Sequence, residues 1–148
     1  MGNNNELVEI TKNYYDSTDA DAFYYNIWGG EDIHIGMYTS PDDSINAASR
    51  RTVEKMADQL DNINENTKIL DIGAGYGGAA RFLVTTYGCK VDCLNLSQVE
   101  NQRNKDKNKE QQLDHLINVY TGNFEELPFE DNTYDLVWCQ DAILHSSN

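Results

Sequence analysis

The spacing of apolar positions changes near residue 66. Before it, apolar residues recur every three or four positions over residues 6–15 and 40–60, as they do on one face of a helix. Pro41 and the polar residues after it are typical of a helix start. Residues 19–38 are aromatic and rich in turn residues, and their pattern predicts no regular element. The N-terminal part of the chain therefore predicts two helices joined by an irregular aromatic connection.

After residue 66, short apolar runs alternate with helical stretches. The predicted strands are residues 68–71, 90–96, 116–120 and 134–139. Helices are predicted over residues 77–87 and 97–112; Gly88 ends the first, and Ser97 with Glu100 has capping-box spacing at the start of the second. Repeated strand–helix units form a parallel sheet covered by helices. We therefore expect an α/β fold of Rossmann-like type.

A glycine-rich turn follows the first predicted strand in the stretch DIGAGYGG, residues 71–78. Gly73, Gly75 and Gly78 fit the GxGxxG pattern of dinucleotide sites, which leaves a nicotinamide or flavin site open, and also a turn with no ligand. Asp71 favours a different cofactor, because its carboxylate would repel a pyrophosphate at the helix N-terminus. S-adenosylmethionine (SAM) carries an ammonium and a sulfonium and no phosphate, so it suits this carboxylate.

Polar residues also follow the later strands, at the edge where ligands bind in this architecture. Asn95 ends the second strand, where a group that binds ribose is expected, and the mid-strand Asp92 is its alternative. Gln140, Asp141 and His145 follow the fourth strand. These positions predict one ligand site at the carboxyl edge of the sheet.

Several motifs resemble those of known enzymes. LDIGAGYG resembles the first motif of class I SAM-dependent methyltransferases, and GNFEELPFEDNTYD is similar to the adenine-binding turn of that family. Five stretches between Tyr14 and Ser146 resemble, in order, those of sarcosine/dimethylglycine N-methyltransferases. They are YYDSTDADAFYYNIWGGEDIHIGMY, ASRRTVEKMADQL, ILDIGAGYGGAARFL, CLNLSQVENQRN and YDLVWCQDAILHS.

The resemblance implies SAM-dependent N-methylation of sarcosine or dimethylglycine toward glycine betaine. Methyl transfer to another small molecule or to a phosphoethanolamine-like lipid, and an inactive truncated fragment, stay open. The resemblance also implies a class I methyltransferase fold with a partial parallel sheet in the order 3-2-1-4. Residues 1–66 would form a helical, aromatic lid and substrate segment, and residues 67–148 a SAM-binding half-domain. The fourth strand would lie at an edge, where it could support self-association.

The motifs and the resemblance together predict three sets of site residues. The predicted cofactor-binding residues are Asp71, Gly73, Ala74, Gly75, Asn95, Leu96, Asn123, Phe124 and Gln140. The predicted substrate residues are Trp28, His34 and Asp141, and the predicted catalytic residues are His145 and Tyr38. Methyl transfer to an amine depends on positioning and exclusion of water, so no metal is expected. Aromatic faces, including that of Tyr15, would attract cationic groups.

Composition limits the partners. The 25 acidic and 11 basic residues give a net charge of −14, which disfavours nucleic acid and anionic membranes. The three cysteines have no paired spacing, and the sequence shows no secretory leader and no membrane-length apolar run. These features predict a cytoplasmic protein with free thiols. The small-molecule amine substrate is what the resemblance implies.

Overall fold

Nine helices and strands are present within residues 2–146, the part of the chain that the computed structural model describes. The helices are α1 (Gly2–Tyr15), α2 (Thr18–Trp28), α3 (Ile45–Ala57), α4 (Gly78–Tyr87) and α5 (Gln98–Glu110). The strands are β1 (Lys68–Ile72), β2 (Lys90–Asn95), β3 (Ile117–Thr121) and β4 (Leu136–Trp138), and a 3-10 turn spans Ile143–His145. None of the described helices is both long and apolar enough to cross a membrane.

Helix α2 is the element that the hydrophobic pattern did not predict. Ser17 caps its start, since the hydroxyl accepts a hydrogen bond from the Ala20 N–H at 3.2 Å, and Gly29 ends it with a φ of 84°. The expectation of an irregular connection is therefore wrong for residues 19–28. Ala20 is the buried residue of α2, whereas Phe23 and Ile27 are about half exposed. The helix lacks a clear apolar stripe because its aromatic residues point to several sides.

The four strands form one parallel sheet in the order β3-β2-β1-β4, which confirms the predicted topology. Helices α4 and α5 lie between consecutive strands in the chain and provide the crossovers that parallel pairing requires. Asp71 of β1 is in register with Cys93 of β2 and Trp138 of β4. The strands therefore end together at one edge, where the loops that follow them meet.

The hydrophobic core lies between the sheet and helices α3 and α4. Ile69 of β1 and Val91 of β2 are fully buried, and Leu83 of α4 packs with them. Val53 of α3 extends the same cluster. This core fixes the position of α4, whose N-terminus follows the glycine-rich turn.

Helix α5 docks through polar side chains instead of an apolar stripe. Asn101, Asn104 and Asn108 lie on one face and are 2%, 0% and 1% exposed. Their amides bond into the protein: Asn101 Nδ2 donates to Thr121 Oγ1 at 2.9 Å, and Asn108 Nδ2 donates to Asn104 Oδ1 at 2.8 Å. Buried amides of this kind are stable only when they are hydrogen-bonded, so the docking of α5 depends on this network.

Strand β4 lies at an edge of the sheet. Within the described residues it pairs with β1 alone, and its Val137 side chain is 54% exposed. An exposed strand edge can pair with another chain.

Candidate active site

A cleft opens at the carboxyl edge of the sheet, between the strand ends and the N-terminal segment. The empty space between its walls is about 890 Å³, a volume that includes space open to solvent. The strand ends contribute residues 73–76, 95–97, 122–125 and 140–142. The opposite wall comes from α1 and from Glu31, Ile33 and His34. The cleft therefore lies where ligands bind in open parallel sheets.

The structure brings together all but three of the predicted site residues. Those that line the cleft are His34, Gly73, Ala74, Gly75, Asn95, Leu96, Asn123, Phe124, Gln140, Asp141 and His145. The residues outside the lining are Asp71, Trp28 and Tyr38. Trp28 reaches the cleft only indirectly, because its indole N–H donates to the His34 carbonyl at 3.2 Å. Tyr38 is 54% exposed.

The glycine-rich turn presents its backbone to the cleft. Gly73 and Gly75 have φ angles of 75° and 51°, which are in the left-handed region that favours glycine. The Gly73 N–H donates to the Leu94 carbonyl at 2.8 Å, which ties the turn to the end of β2. A β carbon on Gly73 would overlap the side chain of Ala142. A small, fixed turn of this kind lets a ligand approach the main chain closely.

Two buried carboxyl groups lie behind this turn. Asp71 is 3% exposed, and its Oδ2 has no hydrogen-bond partner within the described residues. Burial raises the pKa of Asp71 to about 7, and the nearby Asp32 adds to the effect. Burial also raises the pKa of Asp32 to about 6, and the positive charge of Arg50 opposes this increase. Arg50 Nε lies 2.9 Å from Asp32 Oδ2, but the two groups are not aligned for a hydrogen bond. The region behind the turn thus disfavours an anionic ligand.

Asn95 and Glu100 form a polar pair at the end of β2. Asn95 Nδ2 donates to Glu100 Oε2 at 2.8 Å, and both residues line the cleft. Glu100 is 4% exposed, and burial raises its pKa to about 7 against the hydrogen bond from Asn95. The predicted capping box is half formed: Ser97 Oγ accepts from the Glu100 N–H at 3.1 Å, but the Glu100 carboxyl turns to Asn95. Glu100 was not among the predicted site residues.

The turn after β3 is attached to the same strand end. The Gly122 N–H donates to the Asn95 carbonyl at 3.1 Å. Asn123 Oδ1 accepts a hydrogen bond from the Glu125 N–H at 3.0 Å, which closes a local turn. An amide oxygen has a second lone pair, so Asn123 retains an acceptor for a ligand.

The residues after β4 include a buried side chain that lacks hydrogen-bond partners and a strained backbone position. Gln140 is 8% exposed, and neither its amide nitrogen nor its amide oxygen has a partner within the described residues. Asp141 has a φ of 55°, which is strained for a residue other than glycine. Its Oδ2 accepts from the Ile35 N–H at 3.1 Å and lies 3.4 Å from His34 Nδ1. Burial lowers the pKa of His34 to about 4 despite Asp141, so the imidazole is neutral near pH 7.

An aromatic pair closes the cleft on the side of α1. The Tyr15 hydroxyl lies 3.1 Å from His145 Nε2, and their ring centroids are 5.7 Å apart in an edge-to-face arrangement. Tyr24 stacks on Tyr15 with centroids 5.9 Å apart. Val8 and Thr11 of α1 also line the cleft, although no sequence motif indicated them.

The charged groups of the lining are acidic. Glu31, Glu100, Glu125 and Asp141 line the cleft, whereas no lysine or arginine does so in the described part of the chain. Over the same residues, no three histidine, cysteine or acidic side chains are grouped as metal ligands would be. The site suits a cationic ligand, because a phosphate would find no basic partner there.

Comparison with known proteins agrees with this geometry. The model of a family described as a methyltransferase domain matches residues 70–148. The sarcosine/dimethylglycine N-methyltransferase of Aphanothece halophytica is 56% identical over 142 residues, which cover 96% of this chain and 51% of that enzyme. A crystal structure from Galdieria sulphuraria, of a protein assigned as a sarcosine dimethylglycine methyltransferase, matches with a TM-score of 0.83 and 50% identity. That match covers 88% of this chain and 51% of the other.

The same fold also carries other chemistry. The [4+2]-cyclase SpnF matches with a TM-score of 0.87 at 22% identity, covering 95% of this chain and 51% of that one. A likeness at this identity concerns the fold alone. The chain spans about a quarter to about half of the length of the curated relatives it matches.

Proposed function

The chain belongs to the methyltransferase-domain family, and on this premise we propose that it binds SAM in the cleft and methylates sarcosine or dimethylglycine. The observation that carries the proposal is the 56% identity, over 96% of the chain, to an enzyme named for these substrates. The product of complete N-methylation would be glycine betaine. The partner is thus a small-molecule amine.

The charge and the unpaired groups of the cleft fit SAM. SAM has two cationic groups and no phosphate, and the described lining has carboxylates and no lysine or arginine. We assign the ribose hydroxyls to Asn95 and Glu100, and the adenine to Asn123 and Phe124. The Gln140 amide, which has no hydrogen-bond partner among the described residues, suits the amino-acid end of SAM. A dinucleotide fits poorly, since its pyrophosphate would lie in front of buried carboxyl groups.

The side chains of this protein position the amine and handle its proton. When bound, SAM supplies an electrophilic methyl group on a sulfonium. The amine must lose its proton before it can react, and His145, bonded to the Tyr15 hydroxyl, is the candidate acceptor. The buried His34, whose pKa is lowered to about 4, is a poor proton acceptor near pH 7. The aromatic face of Tyr15 stabilises the cationic centres that approach it.

One observation favours a second class of acceptor. The substrate carboxylate finds no lysine or arginine in the described lining. An amine without a carboxylate is therefore the alternative acceptor.

A methyl-acceptor panel tests the proposal. Protein and methyl-labelled SAM are incubated with sarcosine, dimethylglycine, dimethylethanolamine or phosphoethanolamine, and labelled products are identified by mass spectrometry. Label in sarcosine or dimethylglycine supports the proposal, whereas label confined to the other two compounds overturns the substrate assignment. His145→Phe should lower kcat and leave the KM for SAM nearly unchanged. His115→Phe, an exposed histidine outside the cleft, is the matched control.

A further inference from the structure

Residues 31–35, which we call the strap, cross the glycine-rich turn and the start of α4. The Ile33 side chain lies 3.7 Å from the position that a β carbon on Gly75 would occupy. The Glu31 carbonyl is 2.5 Å from the corresponding position on Gly78, so the strap lies directly on the first residue of α4. Glu31, Ile33 and His34 all line the cleft. The strap therefore forms a roof over the turn.

A partly buried ion-pair cluster holds the first residue of the strap. Arg81 Nε and Nη2 donate to Glu31 Oε2 at 2.9 Å and 2.6 Å. Lys107 Nζ donates to Glu31 Oε1 at 2.8 Å. Arg81 is 3% exposed, so this carboxylate compensates a guanidinium that is shielded from water. Burial raises the pKa of Glu31, but Arg81 and Lys107 more than offset it and keep the carboxyl ionised.

The same guanidinium binds the glycine-rich turn and α5. Arg81 Nη2 donates to the Tyr76 carbonyl at 2.7 Å, and Nη1 donates to Asn108 Oδ1 at 2.9 Å. One side chain thus joins the strap, the turn and the helix that follows β2. At the other end of the strap, the Ile35 N–H donates to Asp141 Oδ2 at 3.1 Å. The strap is therefore fastened at both ends of the cleft.

We propose that Glu31 is a positioning residue whose carboxylate holds the strap closed over the turn and thereby slows release of the cofactor. The ligand in this inference rests on the proposed function: SAM, and its demethylated product S-adenosylhomocysteine (SAH). Without the carboxylate, Arg81 and Lys107 lose their common partner and repel each other. The strap then opens more often, and a ligand beneath it dissociates faster.

Glu31→Gln tests the inference because it removes the charge and keeps the volume. SAH dissociation, followed by stopped-flow displacement, should become about tenfold faster with a much smaller change in the association rate. Asp43→Asn is the matched control: Asp43 is also paired with an arginine, at 2.9 Å from Arg51 Nη1, but lies outside the cleft. Unchanged SAH dissociation in Glu31→Gln, or an equal acceleration in Asp43→Asn, would overturn the proposal.

Hydrogen exchange on the free protein separates this inference from the proposed function. Backbone amides of residues 31–35 should exchange faster in Glu31→Gln, while those of β1 and β2 should keep their protection. Unchanged exchange in the strap, or equal loss of protection in the strands, would overturn the proposal that Glu31 holds the strap closed. If the unmodified protein fails to bind SAH, the proposed function fails, and the exchange data still decide whether Glu31 holds the strap.

Discussion

Replacing Glu100 with glutamine should change how the stability of the protein depends on pH. The Glu100 carboxyl is 4% exposed, and burial raises its pKa from 4.5 to about 7. A glutamine at this position keeps the volume and an oxygen that can accept the hydrogen bond from Asn95 Nδ2. The substitution therefore removes the ionisation of Glu100 and leaves its packing in place.

The direction of the effect follows from proton linkage. Because the pKa is higher in the folded protein than in the unfolded chain, the folded state holds the extra proton between pH 4.5 and about 7. The contribution of Glu100 to stability is therefore fully present below pH 4.5 and falls as the pH rises through about 7. Each pKa unit corresponds to about 1.4 kcal/mol, so the loss is about 3 kcal/mol at pH 8.

Urea unfolding at several pH values between 4.5 and 8 measures this loss. Buried Asp71 and Asp32 also have raised pKa values, so the stability of the unmodified protein should fall with rising pH for more than one reason.

The difference in unfolding free energy between Glu100→Gln and the unmodified protein isolates the contribution of Glu100. It should grow from near zero at pH 4.5 to about 3 kcal/mol in favour of the variant at pH 8. Glu110→Gln, at the exposed end of α5, controls for the loss of one negative charge. A difference that stays constant with pH would refute the account of Glu100.

Three further predictions concern charge and association. Asp71→Asn removes the charge behind the glycine-rich turn and should weaken SAM binding by on the order of 1 kcal/mol, as measured by calorimetry; unchanged affinity would contradict this. Arg81→Met leaves Lys107 as the remaining partner of Glu31 and removes the guanidinium hydrogen bonds to the Tyr76 carbonyl and Asn108, so it should lower the free energy of unfolding by roughly 1.5–3 kcal/mol in urea titrations; a loss below 1 kcal/mol would show that these contacts of Arg81 are unimportant for stability. The exposed edge of β4 should allow concentration-dependent self-association in analytical ultracentrifugation, which Val137→Lys should reduce; a monomer at all concentrations would exclude this edge as an interface.

The sequence predicted the sheet well because each strand carries its own signal. In β1 the apolar residues Ile69 and Leu70 precede Asp71, and glycine or turn residues bound the strands. The parallel order could then be inferred from the alternation of strands and helices and from the family resemblance. Helix α2 was missed because its aromatic residues obscure the helical period, although Ser17 and Gly29 are ordinary helix boundary signals.

The candidate site was predictable where it depends on topology. Residues that follow the strands, such as Asn95 and Gln140, must meet at one edge of a parallel sheet, and the structure brings them to one cleft. The motifs around Trp28 and Tyr38 showed only that this segment belongs near the site, because a motif does not specify which side chains face inward.

Long-range polar contacts left no local signal in the sequence. Glu31 and Arg81 are fifty residues apart, and neither belongs to a motif that indicates the other. The buried face of α5 includes Asn104 and Asn108, and because it is polar the hydrophobic pattern does not indicate its burial. Their burial depends on Arg81, which the tertiary fold brings to them.

The proposed function requires the cleft to bind SAM and its product, and not a dinucleotide. Calorimetric titration of the 148-residue chain with SAH and, separately, with NAD tests it most directly. We expect saturable binding of one SAH per chain and no heat of binding with NAD, because the described lining is acidic and offers a pyrophosphate no basic partner. Binding of NAD, or of neither ligand, would contradict the account.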